Sequence, residues 1–385
     1  MRIGVSGPGR HTRDVAGGGA EDIRPDPGWS ARVRPLDCCG ARKILVRAVN
    51  WLGDAVMSTP ALCAVRETFP AAEITLLANP LVAQLFSPHP AVDRVLTFDR
   101  NGRHRGIAGR FRLAAELRRQ GFDLAVILPN SFDSAAVPFL AGIPKRIGKS
   151  SDGRGFLLTD RCVPGSINPP RHEVVYYLEL LRCFGIRGSE TAPCLTVTTA
   201  EEQAASSRLS EQGIQSSDIV LGINPGASFG SAKRWYPDRF AEVARRLAEE
   251  WSSRTVIFGS EGEAPLAAEI ERELGGGCVN MAGKTSVREL MALIKRCSFL
   301  ITNDSGPMHI GAAFGVPLVA VFGPTDHTGT APFSDRAVIV RKEMDCAPCK
   351  LRQCPTDHRC MTAITADDVI RAALDLAQRT GVGRP

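Results

Sequence analysis

Three segments each follow an apolar run and open into a helical pattern, the place where free backbone amides and short side chains can meet a ligand. In the first, Val46 to Pro60 (VRAVNWLGDAVMSTP), Asp54 stands just ahead of a helix, and Gly53 permits a tight turn beside it. Two readings of Asp54 are open: an N-cap worth about 1 kcal/mol, or a base held at a strand's carboxyl end. The second, Gly222 to Trp235 (GINPGASFGSAKRW), brings Ser228 and Lys233 into a Gly-rich loop suited to phosphate oxygens. It is not a Walker loop, because no G-x-x-x-x-G-K-[ST] match occurs. The third, Ile301 to Ala313 (ITNDSGPMHIGAA), turns from a strand end into a helix with Gly306 and Pro307 in its first turn. Pro suits a helix start, and the free amides there form an anion site aided by the helix dipole. His309 either faces that ligand or packs within the helix.

Apolar, β-rich runs at 44–46, 74–78, 95–98 and 124–128 alternate with helical stretches near 58–68, 108–120 and 131–141. That alternation predicts a parallel sheet covered by helices. A helix is expected over 172–184, then a polar connection containing a short helix over 196–217. The pattern resumes with strands at 219–223, 255–258, 299–302 and 318–322, and helices at 238–251, 263–274 and 286–296. The expected organisation is therefore a leader over 1–40, rich in Gly, Pro and Arg, an α/β domain over 41–195, the connection, and a second α/β domain over 218–385 that ends in an amphipathic helix at 367–379. Ligands of such sheets bind at the carboxyl ends of the strands, so the cleft between the two is the expected site.

Length and composition agree with two cores: 385 residues, 44% apolar, and a net charge of +6 spread along the chain. That charge suits an anionic substrate, nucleic acid or membrane surface equally. No apolar run approaches the ~18 residues of a membrane span, and the N-terminus lacks a secretory core, so a cytoplasmic protein is expected. Of twelve cysteines, eight are scattered as reduced, small hydrophobes would be.

Taken together, "NWLGDAVMSTPAL", "NPGASFGSAKRWYPDRFAEVA" and "NDSGPMHIGAAFGVPLVAVFGPTD" resemble the hallmark stretches of the bacterial lipopolysaccharide heptosyltransferases of glycosyltransferase family 9. The resemblance runs from about Lys43 to Arg379. The first two stretches are most similar to the branch that extends an already heptosylated acceptor. The resemblance implies a GT-B fold, two Rossmann-like α/β/α domains facing a central cleft. It implies transfer of heptose from ADP-L-glycero-D-manno-heptose, held by the C-terminal half, to a heptosylated Kdo-lipid A inner core held by the N-terminal half. Asp54 then matches the catalytic aspartate and Lys233 the phosphate-binding lysine. Asp304, Ser305, Gly306 and His309 match the donor-binding turn, with Ser228 on the opposing loop. Glu263 matches the carboxylate that holds the adenosine ribose, with Glu261 near enough to compete, and Thr285 falls at the adenine pocket.

The chemistry is coherent in itself: an acceptor hydroxyl needs a positioned carboxylate, and a leaving diphosphate needs compensating positive charge. Single displacement with inversion is expected, with no cofactor or metal required, since no Asp-x-Asp occurs in the chain. Residues 100–119 carry seven Arg against one Glu, a strip suited to acceptor phosphates or to reversible contact with the inner face of the membrane, or simply a solvated helix face. Cys346, Cys349, Cys354 and Cys360, with His358 nearby, have the ligand types of a structural zinc site, although the spacing departs from the usual pattern; labile thiols, a disulfide or inert packing are the alternatives. A related transferase using another sugar or acceptor is the main rival. A zinc-knuckle nucleic-acid-binding protein is disfavoured by 6% aromatics without a cluster. A nicotinamide enzyme would want G-x-G-x-x-G where this chain has N-W-L-G-D.

Overall fold

The computed structural model describes residues 40–163 and 172–383; the expected leader, Gly40 apart, lies outside them. The first half contains β1 (Lys43–Arg47), α1 (Leu52–Met57), α2 (Thr59–Thr68), β2 (Glu73–Ala78), α3 (Pro80–Ala83), β3 (Arg94–Thr97), α4 (Gly106–Gln120), β4 (Leu124–Ile127), α5 (Phe132–Leu140), β5 (Lys145–Lys149), β6 (Asp160–Cys162) and α6 (Glu173–Arg182). The second contains α7 (Thr199–Glu211), β7 (Val220–Asn224), α8 (Pro237–Trp251), β8 (Arg254–Ile257), α9 (Ala264–Glu273), β9 (Cys278–Asn280), α10 (Val287–Arg296), β10 (Phe299–Asn303), α11 (Gly306–Ala313), β11 (Leu318–Val321), α12 (His327–Thr330), β12 (Ala337–Val340), α13 (Arg359–Thr362) and α14 (Ala366–Thr380).

Ile44, Leu45 and Val46 are wholly buried, as are Phe299, Leu300 and Ile301. Consecutive residues of a strand point to opposite faces, so such runs need helices on both sides of the sheet, which parallel crossovers supply. Each half is a six-stranded parallel sheet, ordered β3-β2-β1-β4-β5-β6 and β12-β11-β10-β7-β8-β9. Counted within each half, both follow the doubly wound order 3-2-1-4-5-6, whose direction of winding reverses between the first and fourth strands. The reversal falls between β1 and β4 in one half and between β7 and β10 in the other. The three glycine-rich segments follow β1, β7 and β10, so each opens at a reversal point.

Four strands escape the sequence pattern: β5, β6, β9 and β12. Lys145–Lys149 (KRIGK) and Asp160–Cys162 (DRC) are polar and only partly buried, and β9 is three residues long. They lie on the flanks of the sheets, where one covered face suffices. The connection expected over 196–217 is largely α7, 13 residues opened by a Thr198/Glu201 capping box. Its polar side chains pair with α10 through Arg288–Glu201 at 2.5 Å and Lys295–Glu202 at 2.6 Å, so the helix docks on the second half. Two of the scattered cysteines are not reduced: a disulfide joins Cys162 of β6 to Cys183 just after α6, with Cα atoms 5.7 Å apart. Chain reversal brings the two together, which sequence spacing does not reveal.

Candidate active site

β1 delivers its chain into the cleft through Arg47. The buried guanidinium donates to Ala48 O at 2.7 Å, Leu77 O at 3.1 Å and Asn50 Oδ1 at 3.1 Å, fixing the turn that follows. The N-cap of α1 is Trp51, with no side-chain cap bond, and Asp54 is the third residue inside the helix. The capping reading of Asp54 is therefore set aside: the carboxylate lies in the first turn, where the helix dipole favours a negative charge. Burial pushes its carboxyl up to about 6, with Lys233 pulling down and Asp304 pushing up. Both of those partners belong to the other half.

The halves meet where α1 faces α11. A Cβ on Gly53 would stand 2.7 Å from His309 Cδ2, and one on Gly306 would stand 2.8 Å from Leu52 Cδ2. Gly53 has no positive φ, so its importance is close approach and not the tight turn expected. His309 is buried against it, 5% exposed, and burial holds its ring down to about 4 despite nearby Asp304. At neutral pH it is an uncharged wall of the cleft.

On the donor side, Asn224 at the end of β7 donates to Thr302 Oγ1 at 3.1 Å and Ser305 Oγ at 2.9 Å, while Asn303 Nδ2 donates to Pro225 O at 2.7 Å. These bonds lock the β7 and β10 loops together. Ser305 caps α11 without a side-chain cap bond; Pro307 has no N–H and Met308 N donates to Ser305 O at 3.1 Å, so the Gly306 amide is the first-turn donor left for an anion. Lys233 Nζ lies 2.6 Å from Asp304 Oδ2 and 5.0 Å from the Phe229 ring centre. Asp54, Lys233, Asp304, Ser305, Gly306 and His309 thus form one group, with Ser228 exposed on the rim.

Glu263 and Thr285 lie farther along the same sheet edge. Glu263, which closes the 3-10 turn Glu261–Glu263 between β8 and α9, is buried against Gly226 and accepts from Ser260 N and Ser260 Oγ, both at 2.8 Å. Thr285 follows β9 and precedes the Ser286 cap of α10. Strands lie ~4.8 Å apart, so β9 is roughly 10 Å from β7, the scale of a nucleoside beyond its diphosphate. Glu261 is exposed.

Sequence reasoning missed Glu173, the first residue of α6. Burial and then the Asp54 charge push its carboxyl up to about 7, while a Tyr177 hydrogen bond and Lys149 pull it back. Its neighbour His172 reaches across to Ala331 O at 2.7 Å, linking the halves. An acid in a first helical turn is ordinary in sequence, so no signal set Glu173 apart.

The clustered cysteines do come near one another, since Cys346, Cys354 and Cys349 add to burial in pushing the Cys360 thiol up to about 11, but among the described residues no group of three or more His, Cys, Asp or Glu is placed to hold an ion. Cys346 and Cys349 are exposed and Cys360 is buried. His358 is engaged elsewhere, with Ala232 O at 2.7 Å and Tyr236 Oη at 3.2 Å.

Comparison with known proteins places this geometry. The profile of glycosyltransferase family 9 (heptosyltransferase) matches residues 110–359. Lipopolysaccharide heptosyltransferase 2 of Escherichia coli (strain K12) is 34% identical over 310 residues, 78% of this chain and 88% of that protein. The solved E. coli ADP-heptose lps heptosyltransferase II superposes with a TM-score of 0.74 at 31% identity, covering 88% of this chain and 99% of the other. A family 9 glycosyl transferase from Veillonella parvula gives 0.82 at 26% identity, covering 90% and 99%. The two facing sheets are the GT-B arrangement, and the chain belongs to glycosyltransferase family 9, the heptosyltransferases.

Proposed function

We propose that this glycosyltransferase moves heptose from ADP-L-glycero-D-manno-heptose to the heptosylated Kdo-lipid A inner core, with inversion at the anomeric carbon. The observation that carries this reading is a half-buried carboxylate of one half, Asp54, on a helix start packed against that of α11 and under the charges of Lys233 and Asp304 of the other. Kinship with proteins named lipopolysaccharide heptosyltransferase 2 supports the donor and acceptor.

Asp54 takes the proton of the acceptor hydroxyl as its oxygen bonds to the anomeric carbon. The bond from that carbon to the diphosphate oxygen breaks, and ADP leaves with the electron pair. Lys233 and the Gly306 amide at the start of α11 receive the developing negative charge. Glu263 and Thr285 serve the ribose and adenine. These groups neutralise the diphosphate without a divalent metal. Incubation with ADP-heptose and defined acceptors, read by mass, tests the assignment: one heptose should add to heptosylated Kdo-lipid A and none to Kdo2-lipid A. Addition to the latter would move the enzyme to the preceding transfer, and use of only another nucleotide sugar would overturn the donor.

We infer further that the enzyme touches the lipid surface that bears its acceptor. Among the described residues no helix is long and apolar enough to cross a membrane. On α4, however, Ile107 and Phe111 are 78% and 57% exposed one turn apart, flanked by exposed Arg105 and Arg112. Apolar tips with a basic rim suit an anionic bilayer interface.

A further inference from the structure

We propose that the segment Cys346 to Cys360 is a strap that orients the phosphate-binding turn, with His358 acting as a positioning residue for Lys233. The proposal rests on the reading of Lys233 as the diphosphate contact.

Lys233 ends a single 3-10 turn, Ser231–Lys233. One turn has too few internal bonds to hold a long side chain, so its backbone must be fixed from outside. Both backbone polar groups of Ala232, the residue before the lysine, are taken by the strap: its N–H donates to Arg352 O at 3.1 Å, and its carbonyl accepts from His358 Nε2 at 2.7 Å. Gly230 lies so close beneath the strap that a Cβ there would stand 2.2 Å from Arg352 O. Arg352 also lies over the Phe229 ring at 5.4 Å, the ring that Lys233 approaches at 5.0 Å.

The strap is itself anchored on the body of the second half. Lys350 N donates to Pro324 O at 2.8 Å beyond β11, and Cys360 and Met361 are buried against Gly323. Trp235 Nε1, two residues past the lysine, donates to Ile364 O at 3.0 Å. His358 is aimed from its other side: Tyr236 Oη lies 3.2 Å from Nδ1, and a hydroxyl donating there leaves the proton on Nε2 to meet Ala232 O. The residue adopts φ 56°, a left-handed conformation that a non-glycine residue takes at some cost. Two oriented bonds and that backbone place a ring nitrogen behind the turn whose next side chain faces Asp304.

Binding of ADP and of adenosine, measured by calorimetry, tests the strap in the wild type, His358→Ala, His358→Gln, Tyr236→Phe, Lys233→Ala and the double variant of Lys233→Ala with His358→Ala. His358→Ala should weaken ADP by about 10-fold and leave adenosine unchanged, and His358→Gln, whose amide reaches the same carbonyl, should recover most of the loss. The double variant should bind ADP no worse than Lys233→Ala alone, because the strap acts through that lysine. Tyr236→Phe keeps the ring packing and should lose about 2- to 3-fold for ADP only, which decides the matter should His358→Ala fail to fold. Equal weakening of adenosine, additive losses in the double variant, or native ADP affinity in both His358→Gln and Tyr236→Phe together with native affinity in any foldable His358→Ala would overturn the strap. Native ADP affinity in Lys233→Ala would instead overturn the reading beneath it.

Discussion

Asp54 and Glu173 are two half-buried carboxyls on one wall of the cleft, and their surroundings raise the pKa of both. Burial pushes the Asp54 carboxyl up to about 6 and, with the Asp54 charge added, that of Glu173 up to about 7, so the two titrate as a pair. Activity that needs Asp54 as a base should therefore fall as pH drops through about 6, and Glu173→Gln should leave that limb in place. The effect on stability has the opposite sense. With its folded pKa raised above 3.8, Asp54 stabilises the fold fully only below that value, and the contribution is lost as pH rises through about 6. At pH 7.5, Asp54→Asn should then raise the melting temperature while costing at least ~100-fold in kcat, with ADP affinity near native. Turnover within a few-fold of wild type would remove Asp54 as the base. Lys233→Ala should cost about 2–4 kcal/mol in kcat/KM, while chelators should leave the wild type unaffected. It also leaves Asp304, 4% exposed, without its cation, so melting must be followed alongside. Full activity of the variant, or loss of wild-type activity on chelation, would contradict the proposal that the diphosphate is neutralised without a metal.

At the level of elements, the sequence pattern located the longer helices by their period, the central strands by their continuous apolar runs, and the loops that open at the reversal points by the Gly, Ser and Pro that punctuate them. It did not reveal that Gly53 and Gly306 serve the approach of one helix start to another, since that depends on which half faces which. Nor did it find Glu173, whose neighbourhood with Asp54 exists only once α6 returns to the cleft. The packing of α1 on α11 makes Gly53→Ala informative. In an isolated helix that change should gain about 0.5–1 kcal/mol. Here the added methyl meets the buried His309 ring at 2.7 Å, and neither backbone nor ring can yield without parting the two helices. The expected result is a loss of about 10-fold or more in kcat/KM, since sub-ångström displacement of a base is costly. His309→Ala in the same chain should recover part of it by opening space. Gly306→Ala meets the Leu52 side chain from Cδ2 at 2.8 Å to Cβ at 3.1 Å; the Cδ2 end can rotate away but the Cβ cannot, so this variant should also lose activity, though less than Gly53→Ala. A fully active Gly53→Ala enzyme would show that the helices need not close this far.

For the molecule as a whole, the proposed contact with a lipid surface must come from its exterior, since no helix among the described residues is long and apolar enough to cross a membrane. Net charge alone, +6 spread over 385 residues, attracts it to an anionic surface without orienting it. Orientation requires a local feature, and the arginine strip is less uniform than its sequence suggests. Arg110 pairs with Asp133 at 2.8 Å and Arg103 with Glu116, so these cations are partly spent on holding α4. Arg105 and Arg112 stay exposed along α4 with Ile107 and Phe111, and Arg100 is exposed ahead of that helix. Each basic residue near an anionic bilayer contributes about 1 kcal/mol, and each buried large apolar side chain about 1.5–3 kcal/mol. The apolar pair therefore rivals the charges, and the two contributions separate by ionic strength. Liposome sedimentation should show Ile107→Ser with Phe111→Ser weakening binding at both low and high salt. Charge reversal of Arg100, Arg105 and Arg112 should weaken it chiefly at low salt, where screening is slight. Both sets should retain native turnover on a soluble, deacylated acceptor, because neither touches Asp54 or Lys233. Unchanged liposome binding in both sets would move the membrane-facing surface away from α4.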